Sequence, residues 1–271
     1  MDRYVVIGNP VSHSLSPAIH AAFARAEGET IDYRAMLVPL GGFAAHARRF
    51  FDEGGSGANV TLPFKVDAFE LGDEKGDRAR LAGAANVLTR RDGRIAADNT
   101  DGAGLVADLV GNLGLKLGGA RVLLLGAGGA ARGVVAPLLA LAPRRLVIAN
   151  RTPARAHDLA RQFRDLGAVE GASLDAVPRE SFDLVINATS TSTRGEPLSL
   201  SADVFHAGAF AYDMAYGPPA RAFLELARAR GAHASDGLGM LVEQAAESYF
   251  LWRGRRPATR PVLQALRARL A

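Results

Sequence analysis

Two sets of residues in this chain have types and spacings that could do chemistry. The first is the run Arg121-Val-Leu-Leu-Leu-Gly-Ala-Gly-Gly-Ala-Ala-Arg132, where an apolar strand breaks into Gly126-x-Gly128-x-x-Ala131 and opens a helix. A second apolar strand, 145–149, follows and ends in Asn150-Arg151-Thr152. Strand, glycine turn, helix and strand are the context that a dinucleotide fingerprint requires. Gly126 permits the tight turn, Gly128 lets the backbone approach a pyrophosphate, and Ala131 keeps the helix close to the strand. The helix N-terminus near Gly129 offers free N–H groups and a positive dipole end to phosphates. The end of the second strand selects the dinucleotide. NAD sites place an Asp or Glu there for the ribose hydroxyls, but here the residues are Asn150 and Arg151. A carboxylate would repel a ribose phosphate, whereas Arg151 can pair with one. Thr152 adds a hydroxyl, and Arg155 lies one helical turn further on. The expected cofactor is therefore NADP rather than NAD.

The second set is polar where packing does not need polarity. Ser12-His-Ser14-Leu-Ser16-Pro17 lies between the first strand and the first helix. Its hydroxyls and free N–H groups could hold a carboxylate, and Ser16 could equally be the N-cap of the helix. Asn59-Val-Thr61-Leu-Pro-Phe-Lys65 puts Thr61 and Lys65 at the end of a strand. Asn86 interrupts the apolar run Ala84–Leu88, and Asn99-Thr-Asp101-Gly102 sits at the hinge between two modules. On residue chemistry alone, each of these segments is also compatible with a structural role. Of the 32 basic residues only three are lysines, Lys65, Lys75 and Lys116. Arginine stays protonated at any accessible pH, whereas lysine can give up a proton, so a lysine inside a polar motif fits proton transfer.

These residues need elements to position them. Residues 1–100 read as strands alternating with helices, an α/β module of mixed sheet. Tyr4-Val5-Val6-Ile7 is a strand. Pro17 to Glu27 is a helix with Ile19, Ala22, Phe23 and Ala26 on its apolar face and Ser16 ahead of it. Ile31 to Val38 alternates like a strand, Phe43 to Phe51 is helical, and 58–62 is a strand stopped by Pro63. Two strands, 85–90 and 94–97, flank the hairpin signal Asp92-Gly93. Asp101 to Leu113 is a connecting helix. The nucleotide module then runs from Arg121 to about Ser235, with strands at 121–125, 145–149, 182–187 and 209–213. Its helices lie near 129–141, 153–166 and 218–230. That alternation implies a parallel sheet with right-handed crossovers. The last segments, 239–252 and 257–270, are helical and are expected to return to the first module.

Composition bounds the partners. A chain of 271 residues with 48% apolar and 22% charged residues can build one large or two ordinary packed domains. There is no cysteine, so disulfides and thiolate chemistry are excluded. No signal-peptide pattern precedes the first strand and no apolar run approaches ~18 residues, so a cytoplasmic protein without membrane spans is expected. The net charge is +4, and the arginines are scattered apart from Arg253-Gly-Arg255-Arg256. A nucleic-acid partner is not expected.

Taken together, the polar segments and the glycine turn resemble the shikimate dehydrogenase family. The resemblance rests on Gly8-Asn-Pro-x-x-His-Ser14-x-Ser16-Pro17, Asn59-Val-Thr-x-Pro-x-Lys65, Gly83-Ala-x-Asn86, Asn99-Thr-Asp101-Gly102 and Gly126-Ala-Gly-Gly-Ala130. It continues through Asn150-Arg-Thr152, Asp213-Met-x-Tyr216 and Asp236-Gly-Leu-Gly-Met-Leu-Val-x-Gln244, in order over nearly the whole chain. It implies the reversible reduction of 3-dehydroshikimate to shikimate by NADPH, in chorismate and aromatic amino-acid biosynthesis. It implies a substrate carboxylate held by Ser14 and Ser16, with ring hydroxyls on Thr61, Lys65, Asn86, Asp101 and Gln244. Tyr216 matches a further substrate-side position. For NADP it implies Gly126, Ala127, Gly128, Gly129 and Ala130, then Asn150, Arg151 and Thr152 with Arg155, then Met214 and Gly237 near the nicotinamide, and also Asp77.

The chemistry agrees with these residues. Hydride delivered to a carbonyl carbon leaves an alkoxide that needs a proton. Lys65 can supply it in reduction and accept it in oxidation, and Asp101, if near, would hold the ammonium in place. No metal is required, because the hydride comes from the cofactor and the lysine can stabilise the developing charge. The expected architecture is α/β: a mixed-sheet substrate domain over 1–101, completed by 237–271, and a Rossmann-type doubly wound NADP domain over 102–236. The expected partner is the small-molecule substrate, with the protein a monomer or homodimer. Three alternatives remain on the same layout. Asn150-Arg151 argues against a quinate-oxidising enzyme that uses NAD. Lys65 and Asp101 argue against a non-catalytic nucleotide-binding regulator. The serine pair and Gln244 argue against a folate-processing dehydrogenase.

Overall fold

The structure, a computed structural model, describes residues 1–177, 180–191 and 200–270. The chain divides into two units, Met1–Leu105 with Leu241–Ala271, and Val106–Met240. In the first unit, β1 (Asp2–Gly8), β2 (Ile31–Leu37), β3 (Gly57–Val60), β4 (Glu74–Lys75), β5 (Val87–Arg91) and β6 (Arg94–Asp98) form one sheet in the order β2-β1-β3-β5-β6-β4. β1 is parallel to both neighbours, because the helices α1 (Ser16–Ala26) and α2 (Phe43–Asp52) carry the chain back before each return. β5 and β6 are an antiparallel hairpin whose turn residues, Asp92 and Gly93, both take the positive φ that a two-residue loop requires. Val5, Ile7, Phe43, Phe51, Phe64 and Leu88 are among the residues of its core. Two short helices, α3 (Lys65–Leu71) and α4 (Asp77–Ala82), are additions to the sequence reading. The connecting helix is α5 (Asp101–Val106), continued by a π-helical turn over Ala107–Asn112.

Three local expectations are corrected. Ser16 does not cap α1; Leu15 holds the cap position and no side chain caps the helix. Instead the Ser16 N–H donates to Ser14 Oγ at 3.3 Å, and the Ser14 N–H donates to the Val11 carbonyl at 3.1 Å, so neither of these groups is free. The buried face of α1 is Ser16, Ile19, His20, Phe23 and Ala24, with Ala22 and Ala26 off it. The helix is turned toward β2, where His20 stacks on Tyr33 with ring centroids 4.3 Å apart. β3 ends at Val60 rather than at residue 62, because Thr61 already begins the turn into α3 and its carbonyl accepts the Phe64 N–H.

In the second unit, β7 (Arg121–Leu125), β8 (Arg145–Asn150), β9 (Val169–Ser173), β10 (Phe182–Asn187), β11 (Phe205–Asp213) and β12 (His233–Asp236) form a sheet in the order β12-β11-β10-β7-β8-β9. Every pairing is parallel. Strand order runs outward in both directions from the β7/β10 pair, which is the doubly wound Rossmann arrangement with its switch point there. The helices α6 (Gly129–Leu139), α7 (Pro153–Phe163) and α8 (Arg221–Arg228) supply crossovers. The central strands are buried on both faces, as Leu123, Val147 and Val185 show on one face and Leu124, Ile148 and Ile186 on the other. β9 and β12 escaped the sequence reading. Val169-Glu-Gly-Ala-Ser173 and His233-Ala-Ser-Asp236 carry too few apolar side chains to read as strands, and both lie at sheet edges where little burial is demanded.

The last helices are α9 (Leu238–Arg253) and α10 (Arg260–Leu270), and from Leu241 onward the chain belongs to the first unit. Tyr249 Oη donates to Glu29 at 2.7 Å and Trp252 Nε1 to the Leu88 carbonyl at 3.2 Å. Two arginines of the terminal cluster form ion pairs. Arg253 meets Glu29 and Asp2, while Arg256 meets Glu243 and Glu247. No helix among the described residues is long and apolar enough to cross a membrane.

Candidate active site

Chain geometry gathers four of the expected substrate residues inside the first unit. Asn86 precedes β5 and Asp101 opens α5 just past β6, so the antiparallel hairpin lays them side by side. Lys65 is the first residue of α3, reached from β3, the other neighbour of β5. Gln244 comes from α9. Lys65 Nζ donates to Asp101 Oδ2 at 2.6 Å, with the two side chains only 11% and 5% exposed. Burying such a pair strips water from both ions, so it stands only when the remaining valences are satisfied. Here Asp101 Oδ1 accepts from Asn86 Nδ2 at 2.9 Å, and the Asp101 N–H donates to Asn99 Oδ1 at 3.0 Å. An ammonium carries three donors, of which Asp101 takes one.

Asn86 is locked in orientation. Its Oδ1 accepts the Thr100 N–H at 2.7 Å, so Nδ2 faces Thr100 Oγ1 at 2.9 Å, Asp101 Oδ1 at 2.9 Å and Gln244 Oε1 at 3.1 Å. Two N–H groups cannot fully serve three acceptors, and Gln244 makes the longest contact. Gln244 Nε2 is committed to the Leu241 carbonyl at 2.9 Å.

The serine segment connects to this group through residues that the sequence reading gave no role. The buried Ser16 bonds through its side chain to Tyr33, whose Oη donates to Asn59 Oδ1 at 2.8 Å. Burial pushes the Tyr33 phenol well above its ordinary range, which keeps it a donor. Asn59 Nδ2 donates to Ser248 Oγ at 2.9 Å, and Ser248 lies 3.2 Å from Thr100 Oγ1. Ser248 sits one helical turn after Gln244, so a polar residue on the Gln244 face of α9 was the available signal. Tyr33 gave none, since a tyrosine in β2 reads as an ordinary strand residue. Ser14 and Thr61 are partly exposed in the same unit, whereas Tyr216 belongs to the second unit, on the turn after β11.

The cofactor candidates are built mostly from backbone. Gly126 follows β7 with φ +107°, and a Cβ there would lie 3.0 Å from the carbonyl oxygen of Ala188, which follows β10. It therefore sits at the switch point of the sheet, in a conformation and a space that exclude side chains. Gly128 is exposed, and a Cβ on it would meet nothing within 4 Å, so this face of the turn is open to a ligand. α6 begins at Gly129 and leaves the N–H groups of its first turn without helical partners, which suits a pyrophosphate. Ala127 is buried and Ala130 half-buried. Asn150 ends β8 and spends its Nδ2 on the Thr152 carbonyl at 3.0 Å, shaping the turn that presents Arg151. Arg151, Thr152 and Arg155 are all exposed. Met214 and Gly237 follow the adjacent strands β11 and β12, and the Gly237 N–H donates to the Ala215 carbonyl at 2.9 Å. Asp77 belongs to the first unit, fully exposed at the start of α4.

Comparison with known proteins follows the same division. Residues 6–88 match the family model of the shikimate dehydrogenase substrate binding domain, and 108–196 that of shikimate / quinate 5-dehydrogenase. Residues 237–267 match the shikimate 5'-dehydrogenase C-terminal domain. The curated shikimate dehydrogenase (NADP(+)) of Thioalkalivibrio sulfidiphilus (strain HL-EbGR7) is 55% identical over 269 residues, covering 98% of each chain. The chain belongs to the shikimate dehydrogenase family. Another shikimate dehydrogenase (NADP(+)), from Acidovorax sp. (strain JS42), is 52% identical over 274 residues, covering 100% of this chain and 97% of the relative. Among solved structures, the shikimate 5-dehydrogenase of Thermus thermophilus in complex with NADP(H) and shikimate matches with a TM-score of 0.86 and 33% identity, covering 99% of both chains. Within the shikimate dehydrogenase pattern, the substrate-binding match takes in Lys65 and Asn86, and the C-terminal match takes in Gly237 and Gln244.

Proposed function

We propose that Lys65 and Asp101 are the catalytic pair of an NADP-dependent shikimate dehydrogenase, which reversibly reduces 3-dehydroshikimate to shikimate. The observation that carries this reading is the buried 2.6 Å Lys65–Asp101 contact, with Asn86 and Gln244 bonded into the same group. The enzyme is an oxidoreductase and its cofactor is NADP, which in reduced form supplies the hydride. Lys65 holds an N–H at the carbonyl oxygen and gives that proton up as the oxygen gains charge; in oxidation it takes the proton from the hydroxyl. Asp101 fixes the ammonium in place throughout. Gln244, the most weakly held acceptor around Asn86, is released to a ring hydroxyl, with Thr61 and Asn86 binding others. Ser14 and Ser16 take the carboxylate, and Tyr216 is a further substrate-side residue.

On the cofactor side, Gly126, Ala127, Gly128, Gly129 and Ala130 cradle the pyrophosphate. Arg151, with Thr152 and Arg155, pairs with the ribose phosphate, and Asn150 sets their turn. Met214 and Gly237 border the nicotinamide, and Asp77 is an additional contact. In this reading residues 1–101 with 237–271 serve the substrate and 102–236 serve NADP. The enzyme works in the cytoplasm as a monomer or homodimer, on the route to chorismate and the aromatic amino acids. The test is NADPH absorbance with purified protein and 3-dehydroshikimate, followed by quinate with NADP in the reverse direction. Rapid NADPH oxidation and little quinate turnover are expected; a protein inert toward 3-dehydroshikimate would sink the assignment.

A further inference from the structure

The second unit contains a buried carboxylate that this reaction scheme leaves without a task. Asp108 lies on the π-helical turn and is 2% exposed. Tyr212 Oη donates to its Oδ2 at 2.6 Å, and Asn112 Nδ2 donates to its Oδ1 at 3.0 Å. A third neighbour is the first turn of α9. A Cβ on Gly239 would collide with Asp108 Oδ1, so residue 239 is glycine because the carboxylate fills the place of a side chain. A negative charge is favoured at such a helix N-terminus, where N–H groups lack partners within the helix. Tyr212 completes the contact. It is fully buried, and its phenol oxygen receives the Met240 N–H while donating to Asp108. Burial first, and the Asp108 carboxylate second, hold this phenol neutral far above its usual range, so it remains a donor.

The strand side of the contact leads to the cofactor candidates. Tyr212 is the penultimate residue of β11. The next residue, the buried Asp213, accepts from Asn187 Nδ2 and from the Ala215 N–H, both at 2.8 Å. Met214 follows, its N–H on the Asn187 carbonyl at 2.9 Å. On the helix side, Gly237 immediately precedes α9 and is tied to Ala215. Tyr212 therefore sets the spacing between the end of β11 and the start of α9, the two backbone segments that carry Met214 and Gly237.

We infer that Asp108 and Tyr212 are positioning residues for the reaction, a buried clamp that holds the Met214 and Gly237 backbone at the reactive end of the cofactor site. The inference rests on assigning those two residues to the nicotinamide. The clamp transfers no proton; its effect is geometric. Displacing that wall slows the chemical step, while the shikimate contacts assigned to the first unit stay intact.

Tyr212→Phe removes a single oxygen and tests this. Shikimate oxidation by NADP is followed in wild type and variant, with hydrogen and then deuterium at the oxidised carbon. The expected result is a kcat about ten-fold lower, a shikimate KM within about two-fold, and a larger isotope effect, because hydride transfer limits turnover more fully. A merely structural role would lower the melting temperature and leave the isotope effect of the folded fraction unchanged. Asp108→Asn keeps an acceptor for Tyr212 and should retain most of the activity, whereas Asp108→Ala should repeat the Tyr212→Phe pattern. Wild-type kcat and isotope effect in Tyr212→Phe overturn the inference, and if that variant does not fold, the same measurements on Asp108→Ala decide. A wild-type protein that does not oxidise shikimate with NADP is a failure of the proposed function itself, seen before any variant is compared.

Discussion

On the proposed assignment of the substrate to the first unit and NADP to the second, the two units prepare for their ligands in opposite ways. In the first, side chains do the work: Lys65, Asp101, Asn86 and Gln244 are buried and bonded to one another in the structure as it stands. In the second, backbone does it: a glycine turn at the strand switch point and a helix start, with Arg151 exposed beside them. The difference follows from what each must recognise. A small polyhydroxylated ring has no net handle apart from its carboxylate, so it must be read by several fixed donors and acceptors. A pyrophosphate carries its own charge, and unpartnered N–H groups suffice once a backbone can come close.

That contrast can be broken at its strongest point first. Lys65→Ala should lower kcat by ~10²-fold or more, with NADPH affinity, measured by fluorescence titration, nearly unchanged. A near-normal kcat would remove Lys65 as the proton donor and leave the first unit a binding site only. Next in size is Gly126→Ala. The added Cβ meets the Ala188 carbonyl at a positive φ, a strain of about 1–3 kcal/mol, so NADP affinity should fall while the shikimate contacts are untouched. Unchanged affinity would show that the turn does not depend on its backbone conformation. Arg151→Ala comes third. It should weaken NADPH about ten-fold, the loss of one charge-assisted contact, and leave NADH unaffected. Equal losses with both cofactors would mean that Arg151 does not read the phosphate.

The smallest effect concerns stability rather than ligands. Burial drives the His20 imidazole down to about 3 from its usual 6.5, so the folded protein keeps it neutral. The unfolded chain takes up that proton first. The stability linked to His20 is therefore complete above pH 6.5 and drains away as the pH falls toward 3. His20→Phe should flatten part of the drop in melting temperature between neutral and mildly acid pH. An equally steep drop in the variant would place the acid sensitivity elsewhere in the first unit.

Much of the fold was legible because its signals are local. The central strands of the second sheet carry the short apolar runs 122–125, 146–149 and 184–186, and Gly126-x-Gly128 announces its turn by composition alone. The edge strands β9 and β12 were not legible, because an edge strand is defined by its neighbour's hydrogen bonds more than by its own side chains. Ser16 misled for a related reason. A serine ahead of a proline fits a cap, yet the cap position fell to Leu15, and the Ser16 side chain bonds instead to Tyr33, a partner supplied by another strand.

The sequence by itself determined the residue types and their order: a lysine in an arginine-rich chain, the glycine turn, and an arginine where an acid would select NAD. Those are properties of single residues and short spacings, and no folding is needed to state them. Only the tertiary structure decided which of them meet. Lys65 and Asp101 are brought within 2.6 Å by the packing of α3 and α5 beside one sheet. Gly239 is explained only by Asp108, more than a hundred residues earlier in the chain. Such contacts depend on strand order and helix packing, which arise from the whole core and are written in no single segment.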